Sequence, residues 1–422
     1  ARSPTVLVSK KARQEVSDSA MRRAHHCLVS SAVLLTTRRA MSLSVRGLEA
    51  VGMTGTATAT RAAGTNETII SLAIAENKLM ADVLEPKLRS VATRCFTEGT
   101  HYAESWLGER ALREAIAKAY TRFVLRKREV VAEDVAVTAS ATSAIDVLLF
   151  ALCEEGDAVL TPAPHYGSYR RDAEARARCR LVPYAGGVRG ALPTVADLER
   201  AIDDEKRARA LLLSNPQNPL GTVTGEAELR ATVELARSKG LDVVVDEVFA
   251  LSVFGNEPFT SALDLDDDDR VHVVYSASKD LALSGFRTGC VLSRNAKLHR
   301  VLAVLNVFAN AAVPCQLAIA ALLDDHAWLA EVWVPQLRAR LAAAWRNAAA
   351  TLEEHDLTVV HEPCAGQFCL LDLLHSSSSS SSEGAFLHHN DDACAVDAAI
   401  ARRCLDAGLI LTPGAPGMGT LA

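Results

Sequence analysis

The chain has 422 residues, 49% hydrophobic and 23% charged, an ordinary balance for a soluble globular enzyme and enough length for two lobes. A formal net charge of -6 gives no reason to expect a polyanionic partner, so nucleic acid is not the expected ligand. The apolar stretch from Val301 to Val313 is broken by Asn306 and Asn310, and no stretch reaches the ~20 residues that a membrane-spanning helix needs.

The chain begins at Ala1 rather than Met, as a fragment or an unfinished gene model would. Residues 1–60 are rich in Arg, Ser, Thr and Ala and poor in acids, a composition shared by organelle transit peptides and solvated tails. This leaves the cytoplasm and an organelle both open; secretion is not expected. From Thr68 the pattern turns globular. Leu112, Ile116, Tyr120 and Phe123 fall at helical spacing and predict an amphipathic helix over 109–127. Asp134–Thr138 reads as a strand and Ala141–Cys153 as a helix. Strands are expected at Ala158–Thr161, Leu181–Pro183, Ala210–Leu213, Asp242–Val245 and Val271–Tyr275, with a helix at Glu226–Lys239. Short apolar runs separated by helices imply a mostly parallel sheet covered on both faces, hence an α/β fold. The acidic stretch Asp264–Asp269 is predicted to be a surface loop. After Asn295 the chain reads as mainly helical up to His355, and Leu357–Ala422 as α+β, interrupted by the serine run Ser376–Ser382, a solvated insertion. The expected division is a tail over 1–65, a large cofactor-binding domain over 66–325 and a smaller domain over 326–422.

Ten cysteines are scattered without a C-x-x-C pair; Cys364 and Cys369, in strand-like sequence, are closest together. They read as buried thiols of a reducing compartment. His25-His26 and His388-His389 lack a third ligand at helical spacing, so no metal site is expected.

Three segments carry chemistry. Ser276-Ala277-Ser278-Lys279-Asp280 follows the strand that ends at Tyr275 and leads into Ser284-Gly285-Phe286-Arg287-Thr288-Gly289. Side chains there emerge at the carboxyl edge of a strand, where α/β sheets bind ligands. A lysine in that position can form a Schiff base with an aldehyde cofactor. The flanking hydroxyls and Arg287, eight residues on, can hold a phosphate by charge-assisted bonds. Ser214-Asn215-Pro216-Gln217-Asn218-Pro219-Leu220-Gly221 is a structured turn after another strand, and Asn218 can donate to an ionised phenolic oxygen. Asp246-Glu247 ends a third strand, and a carboxylate against a pyridine nitrogen keeps that ring protonated. The three occur in this order on alternating strands.

These motifs resemble fold-type I pyridoxal 5'-phosphate (PLP) enzymes of aminotransferase class I/II, and within them aminocyclopropane-carboxylate (ACC) synthases and ACC-synthase-like proteins. The resemblance runs from Ile69 to Pro416. It includes Ala75-Glu76-Asn77, similar to an A-E-N segment near the substrate, and Tyr102 to Arg113, similar to a Y-x-x-x-W-x-G…L-R segment. The run Asp246 to Phe254 (D-E-V-F-A-L-S-V-F) is similar too. It implies an aspartate aminotransferase-like large domain with a smaller α+β domain, a homodimer, and an amino acid as substrate. Lys279 would hold PLP and shuttle the Cα proton, Asp246 would pair with the pyridinium and Asn218 with the phenolic oxygen. Ser140, Ala141 and Thr142 open a helix whose N–H groups would face the phosphate, with Ser276, Ser278 and Arg287 completing the cup. Tyr166, in Pro164-His165-Tyr166-Gly167, would stack on the ring. Ala75, Glu76 and Trp106 are the candidates on the substrate side.

The sequence departs from the family pattern at three places. Phe249 stands where a tyrosine usually bonds the phenolic oxygen. Trp106 stands where many relatives carry a tyrosine that crosses the dimer interface. The sequence stops at Ala422, after Leu411-Thr412-Pro413-Gly414, before the arginine that clamps the substrate carboxylate in relatives. The expectation is that the natural protein continues into that segment. The expected function is transamination of an amino acid. An ACC-synthase-type lyase acting on S-adenosylmethionine and a PLP-binding protein with little catalysis are the alternatives.

Overall fold

The structure is a computed structural model that describes residues 70–185, 192–265, 269–373 and 393–412, together with residue 46. The tail, the serine run Ser376–Ser382, both His-His pairs and Pro413-Gly414 lie outside the described residues. By contacts the chain divides into Ala1–Thr54 and Gly55–Ala422, and every element below belongs to the second unit.

In chain order these are β1 (Ile70–Ser71), α1 (Ala81–Glu98), α2 (Arg110–Phe123), β2 (Val135–Thr138), α3 (Ala141–Leu152), β3 (Ala158–Pro162), α4 (Tyr169–Glu174), β4 (Arg180–Tyr184) and α5 (Val195–Asp204). They continue with β5 (Ala208–Ser214), α6 (Glu226–Ser238), β6 (Asp242–Asp246), β7 (Val271–Ser276), α7 (Ala277–Asp280), β8 (Gly289–Ser293), α8 (Ala296–Leu305) and α9 (Val313–Asp324). The last are α10 (Val334–Glu354), β9 (Thr358–Val359), β10 (Leu371–Asp372), α11 (Ala393–Asp406) and β11 (Leu409–Ile410).

A seven-stranded sheet in the order β2-β8-β7-β6-β5-β3-β4 forms the centre. β4, β3, β5, β6 and β7 are parallel, while β8 runs antiparallel to both β2 and β7. The apolar runs are continuous because both faces are covered. Leu211, Leu213, Val243, Val245 and Val273 enter one core, whereas Ala210, Leu212, Val244 and Val274 enter the other. Alternation with period two thus sends apolar side chains to opposite sides of a doubly covered sheet. Each fully buried Leu or Val contributes about 1.5–3 kcal/mol. β1 pairs in parallel with β11, and β9 antiparallel with β10.

The strands expected from sequence are present with their ends moved by one or two residues, and the 109–127 helix is trimmed to α2. Among the elements that had not been read are α1 and β8. In α1, Pro86 interrupts the pattern and only Leu84 and Cys95 are buried, so the helix carries little apolar periodicity. β8 is five residues long with a glycine first, too short to show alternation.

Two local readings are corrected. Asp264 is not in a surface loop: it is buried, and its carboxylate accepts from the N–H groups of Arg126 (2.7 Å) and Lys127 (3.0 Å) just beyond α2. Those N–H groups need a partner inside the protein, and the first acid of the run supplies it. Residues 266–268 lie outside the described residues. Cys364 and Cys369 are not in strands. Cys364 O instead accepts from Phe254 N (2.8 Å) and Gly255 N (2.9 Å), and β10 begins only at Leu371. Of the eight described cysteines, all free thiols, Cys95, Cys179 and Cys290 are buried and the other five half-buried.

Among the described residues no helix is long and apolar enough to cross a membrane. No group of three His, Cys, Asp or Glu among them is arranged to hold a metal ion.

Candidate active site

The carboxyl edge of the parallel strands collects the predicted residues. Asn218, Asp246 and Lys279 follow β5, β6 and β7, which prove to be immediate neighbours in the sheet rather than alternating strands. β2 and β3 deliver Ser140 and Tyr166 to the same edge, and β8 starts there with Gly289, paired with Ser276 and Thr138.

Lys279 lies in the short turn α7. Its Nζ donates to Ala75 O at 2.5 Å, a contact spanning most of the large sheet unit in sequence. Burial pushes the ammonium below the ordinary lysine range. The carboxylates of Asp246 and Glu76 pull it back up, and Arg287 pushes it down again. Glu76 also accepts from Ser284 Oγ at 3.3 Å. Ala75 and Glu76 therefore sit beside Lys279. Trp106 is half exposed, and its described ring partner is Tyr102, edge-on at 6.0 Å.

Asp246 is buried at the end of β6. Loss of water raises its carboxyl to about 6, against the lowering effect of Val248 N, the Tyr169 hydroxyl and Lys279. Tyr169 was not singled out from sequence. Its hydroxyl donates to Asp246 Oδ2 at 3.1 Å. The available signal was its position three residues after Tyr166 in the same turn. Tyr166 packs edge-on against it at 5.4 Å.

The Asn218 turn is tied down by its own backbone. Gly221 N donates to Gln217 O (2.8 Å), Leu220 N to Gln217 Oε1 (2.9 Å) and Asn218 N to Ser214 Oγ (3.0 Å). Gly221 has φ +71°, and a Cβ there would come within 2.5 Å of the Pro363 side chain, so the turn requires glycine.

Ser140 caps α3 by accepting from Ser143 N at 3.0 Å, which leaves Ala141 and Thr142 in the first turn at the positive end of the helix. Ser276 Oγ accepts from Ser278 N (3.1 Å), donates to Thr288 O (2.8 Å) and lies 2.9 Å from Ser278 Oγ. Gly289 runs so close that a Cβ would meet Ser140 C at 2.5 Å and Ala141 N at 2.6 Å. Arg287 is exposed in the left-handed region, φ 50°, with Nη1 donating to Ser284 O at 2.9 Å. A non-glycine residue held there marks strain of the kind that collects at ligand sites. Phe249, three residues past Asp246, is buried and packs edge-on against Phe368 at 5.0 Å.

A second layer lies behind the site. Glu247 accepts from Tyr120 OH and from Ala262 N (2.8 Å), and its carboxyl is pushed up to about 7 by burial. Asp280, next to Lys279, accepts from Leu251 N (2.8 Å) and Ser252 Oγ (2.5 Å). Glu247 thus ties the end of β6 to α2, and Asp280 ties the turn of Lys279 to the segment after β6.

The sequence profile of the aminotransferase class I and II family matches residues 68–418. The chain belongs to this family. It is 33% identical over 333 residues to 1-aminocyclopropane-1-carboxylate synthase 1 of Oryza sativa subsp. indica, covering 73% of this chain and 68% of that protein. It is 30% identical over 319 residues to a Homo sapiens protein named "Probable inactive 1-aminocyclopropane-1-carboxylate synthase-like protein 2", covering 72% and 56%. The solved aspartate aminotransferase of Thermotoga maritima superposes with a TM-score of 0.71 at 22% identity, covering 88% of this chain and 91% of that one.

The fold is thus that of the aspartate aminotransferase-like PLP transferases, and the cofactor of the family is PLP. The residues present fit that group. A buried carboxylate at Asp246 suits a protonated ring nitrogen, a half-buried amine at Lys279 suits an aldehyde, and the first turn of α3 suits a phosphate.

Proposed function

We propose that the chain is a PLP-dependent enzyme acting on the α-amino group of an amino acid, and that its reaction is transamination. The observation that carries this reading is the placement of Lys279: half-buried, with Nζ against Ala75 O and between the fields of Asp246 and Glu76. Lys279 would hold PLP through its Nζ. Asp246 would face the ring nitrogen, Asn218 the phenolic oxygen, and Tyr166 the ring face. Ser140, Ala141, Thr142, Ser276, Ser278 and Arg287 would take the phosphate. When bound, PLP supplies a sink for the electron pair left at the substrate Cα.

The chain's own residues then divide the remaining work. Burial favours the neutral amine of Lys279, the form able to accept a proton from Cα and return it elsewhere. Ala75 and Glu76 border the space beside that amine, so they contact the substrate. The exposed apolar strip of Val301, Val304 and Phe308 at i, i+3 and i+7 lies next to the α3 cup, since Ala309 O accepts from Ala139 N at 2.6 Å. Such a strip suits a second copy of the chain and supports a homodimer.

The rice relative supports a second reading, an ACC-synthase-type elimination from S-adenosylmethionine. Both chemistries begin by removing the Cα proton, so the residues described serve either. The test is incubation of PLP-loaded protein with an amino-acid mixture plus a keto-acid acceptor and, separately, with S-adenosylmethionine. A new keto acid is the expected product. Formation of ACC instead would establish the second reading, and no product from either would overturn both in favour of a binding protein.

A further inference from the structure

Tyr169 opens α4 and is wholly buried. Its ring is fixed by Tyr166, edge-on at 5.4 Å, and by His165, stacked at 6.2 Å. The hydroxyl donates to Asp246 Oδ2 at 3.1 Å, while Val248 N donates to Oδ1 at 3.3 Å. Each oxygen of the acid therefore has one donor, which fixes the plane of the carboxylate. The Ser214 side chain lies beside the same phenol and lowers its pKa against the rise that burial causes. Ser214 is the cross-strand neighbour of Asp246, and its oxygen also accepts from Asn218 N at 3.0 Å. One line of polar atoms thus runs from Asp246 through Tyr169 and Ser214 to the turn that carries Asn218. Phe249, on the turn beyond Asp246, offers no hydroxyl and packs on Phe368.

We propose that Tyr169 is a positioning residue: its hydroxyl sets the orientation of the Asp246 carboxylate and, through Ser214, couples that acid to the turn bearing Asn218. The inference rests on the reading that Asp246 faces the ring nitrogen of PLP. Physically, a phenol donor offsets part of the cost of keeping a buried carboxylate ionised. Without it the acid retains its proton more readily and holds a protonated pyridine less firmly. The other ionisable groups bearing on Asp246 and Tyr169 are Lys279, Tyr166 and Asp172, the last paired with Arg171 at 3.1 Å. All of these remain in a Tyr169→Phe variant, so its effect reports the hydroxyl alone.

The experiment measures the PLP dissociation constant and the pH titration of the bound cofactor's visible absorbance in the full chain. Four forms are compared: the unaltered protein, Tyr169→Phe, Asp246→Asn and the double variant. Asp246→Asn should weaken PLP binding by about a hundredfold or more, as for breaking a buried charge pair. Tyr169→Phe should weaken it about tenfold and move the titration midpoint, as for a hydrogen bond to a charged group. Added to Asp246→Asn, the same change should cost less than about twofold, because the hydroxyl acts through the carboxylate. Ser214→Ala, at the far end of the line, should weaken binding about threefold, and it decides the matter if Tyr169→Phe does not fold. Unchanged affinity and midpoint in Tyr169→Phe, or an undiminished tenfold cost on top of Asp246→Asn, overturns the positioning role while leaving Asp246 in place. Unchanged binding in Asp246→Asn overturns the reading of the acid and the inference with it.

Discussion

Lys279→Ala is expected to abolish covalent attachment of PLP and to slow conversion of a bound amino acid by about 10²–10⁴-fold, the range for losing a positioned proton-transfer group. The cofactor should still bind without the covalent bond, because the first turn of α3, Asn218 and Asp246 are untouched by the substitution. The fold should also persist. Lys279 Nζ donates to Ala75 O, and the residue belongs to neither apolar core. Single-turnover assays with excess PLP measure the effect. A rate within tenfold of the unaltered protein would remove Lys279 from the chemistry.

Trp333→Ala should produce the largest loss of stability. Trp333 ends a π-helical segment, Leu329–Trp333, that leads into α10, and it has no exposed surface. Its ring packs on Trp328 at 5.0 Å, and its indole N–H donates to Asp280 O at 2.8 Å. Removing the ring opens a cavity in the main core at a cost of about 3–5 kcal/mol. Trp333→Phe keeps most of the volume but strands the buried Asp280 carbonyl, which should cost about 1–3 kcal/mol. Because Asp280 adjoins Lys279, the same contact steadies the turn that carries the reactive amine. Urea unfolding followed by far-UV circular dichroism gives both numbers. An alanine variant within about 1 kcal/mol of the unaltered chain would show that this packing is not what anchors α10.

The residues proposed to hold the cofactor could be singled out from sequence because their chemistry demands particular residue types at strand ends. Lys279, Asp246 and Asn218 each follow an apolar run, and a parallel sheet brings consecutive strand ends to one edge. What sequence hides is any relation set by packing between distant segments. Only its place three residues after Tyr166 hints at Tyr169, and nothing in the chain announces that its hydroxyl meets Asp246 or that the first member of the run Asp264–Asp269 serves the end of α2. The antiparallel strand β8 escaped notice, although it completes the sheet beside the α3 cup. Trp106, chosen by resemblance, has Tyr102 as its described ring partner, edge-on at 6.0 Å. Phe249 was noted for the hydroxyl it lacks; the structure adds that a different phenol, Tyr169, donates to the acid.

The central claim is that Lys279 is the lysine that carries PLP. Borohydride reduction of the PLP-loaded protein, followed by proteolysis and mass-spectrometric mapping, tests it most directly. The expected result is a pyridoxyl group on Lys279 alone, with none in Lys279→Ala. A label on any other lysine, or no label on a protein that binds PLP, would contradict it.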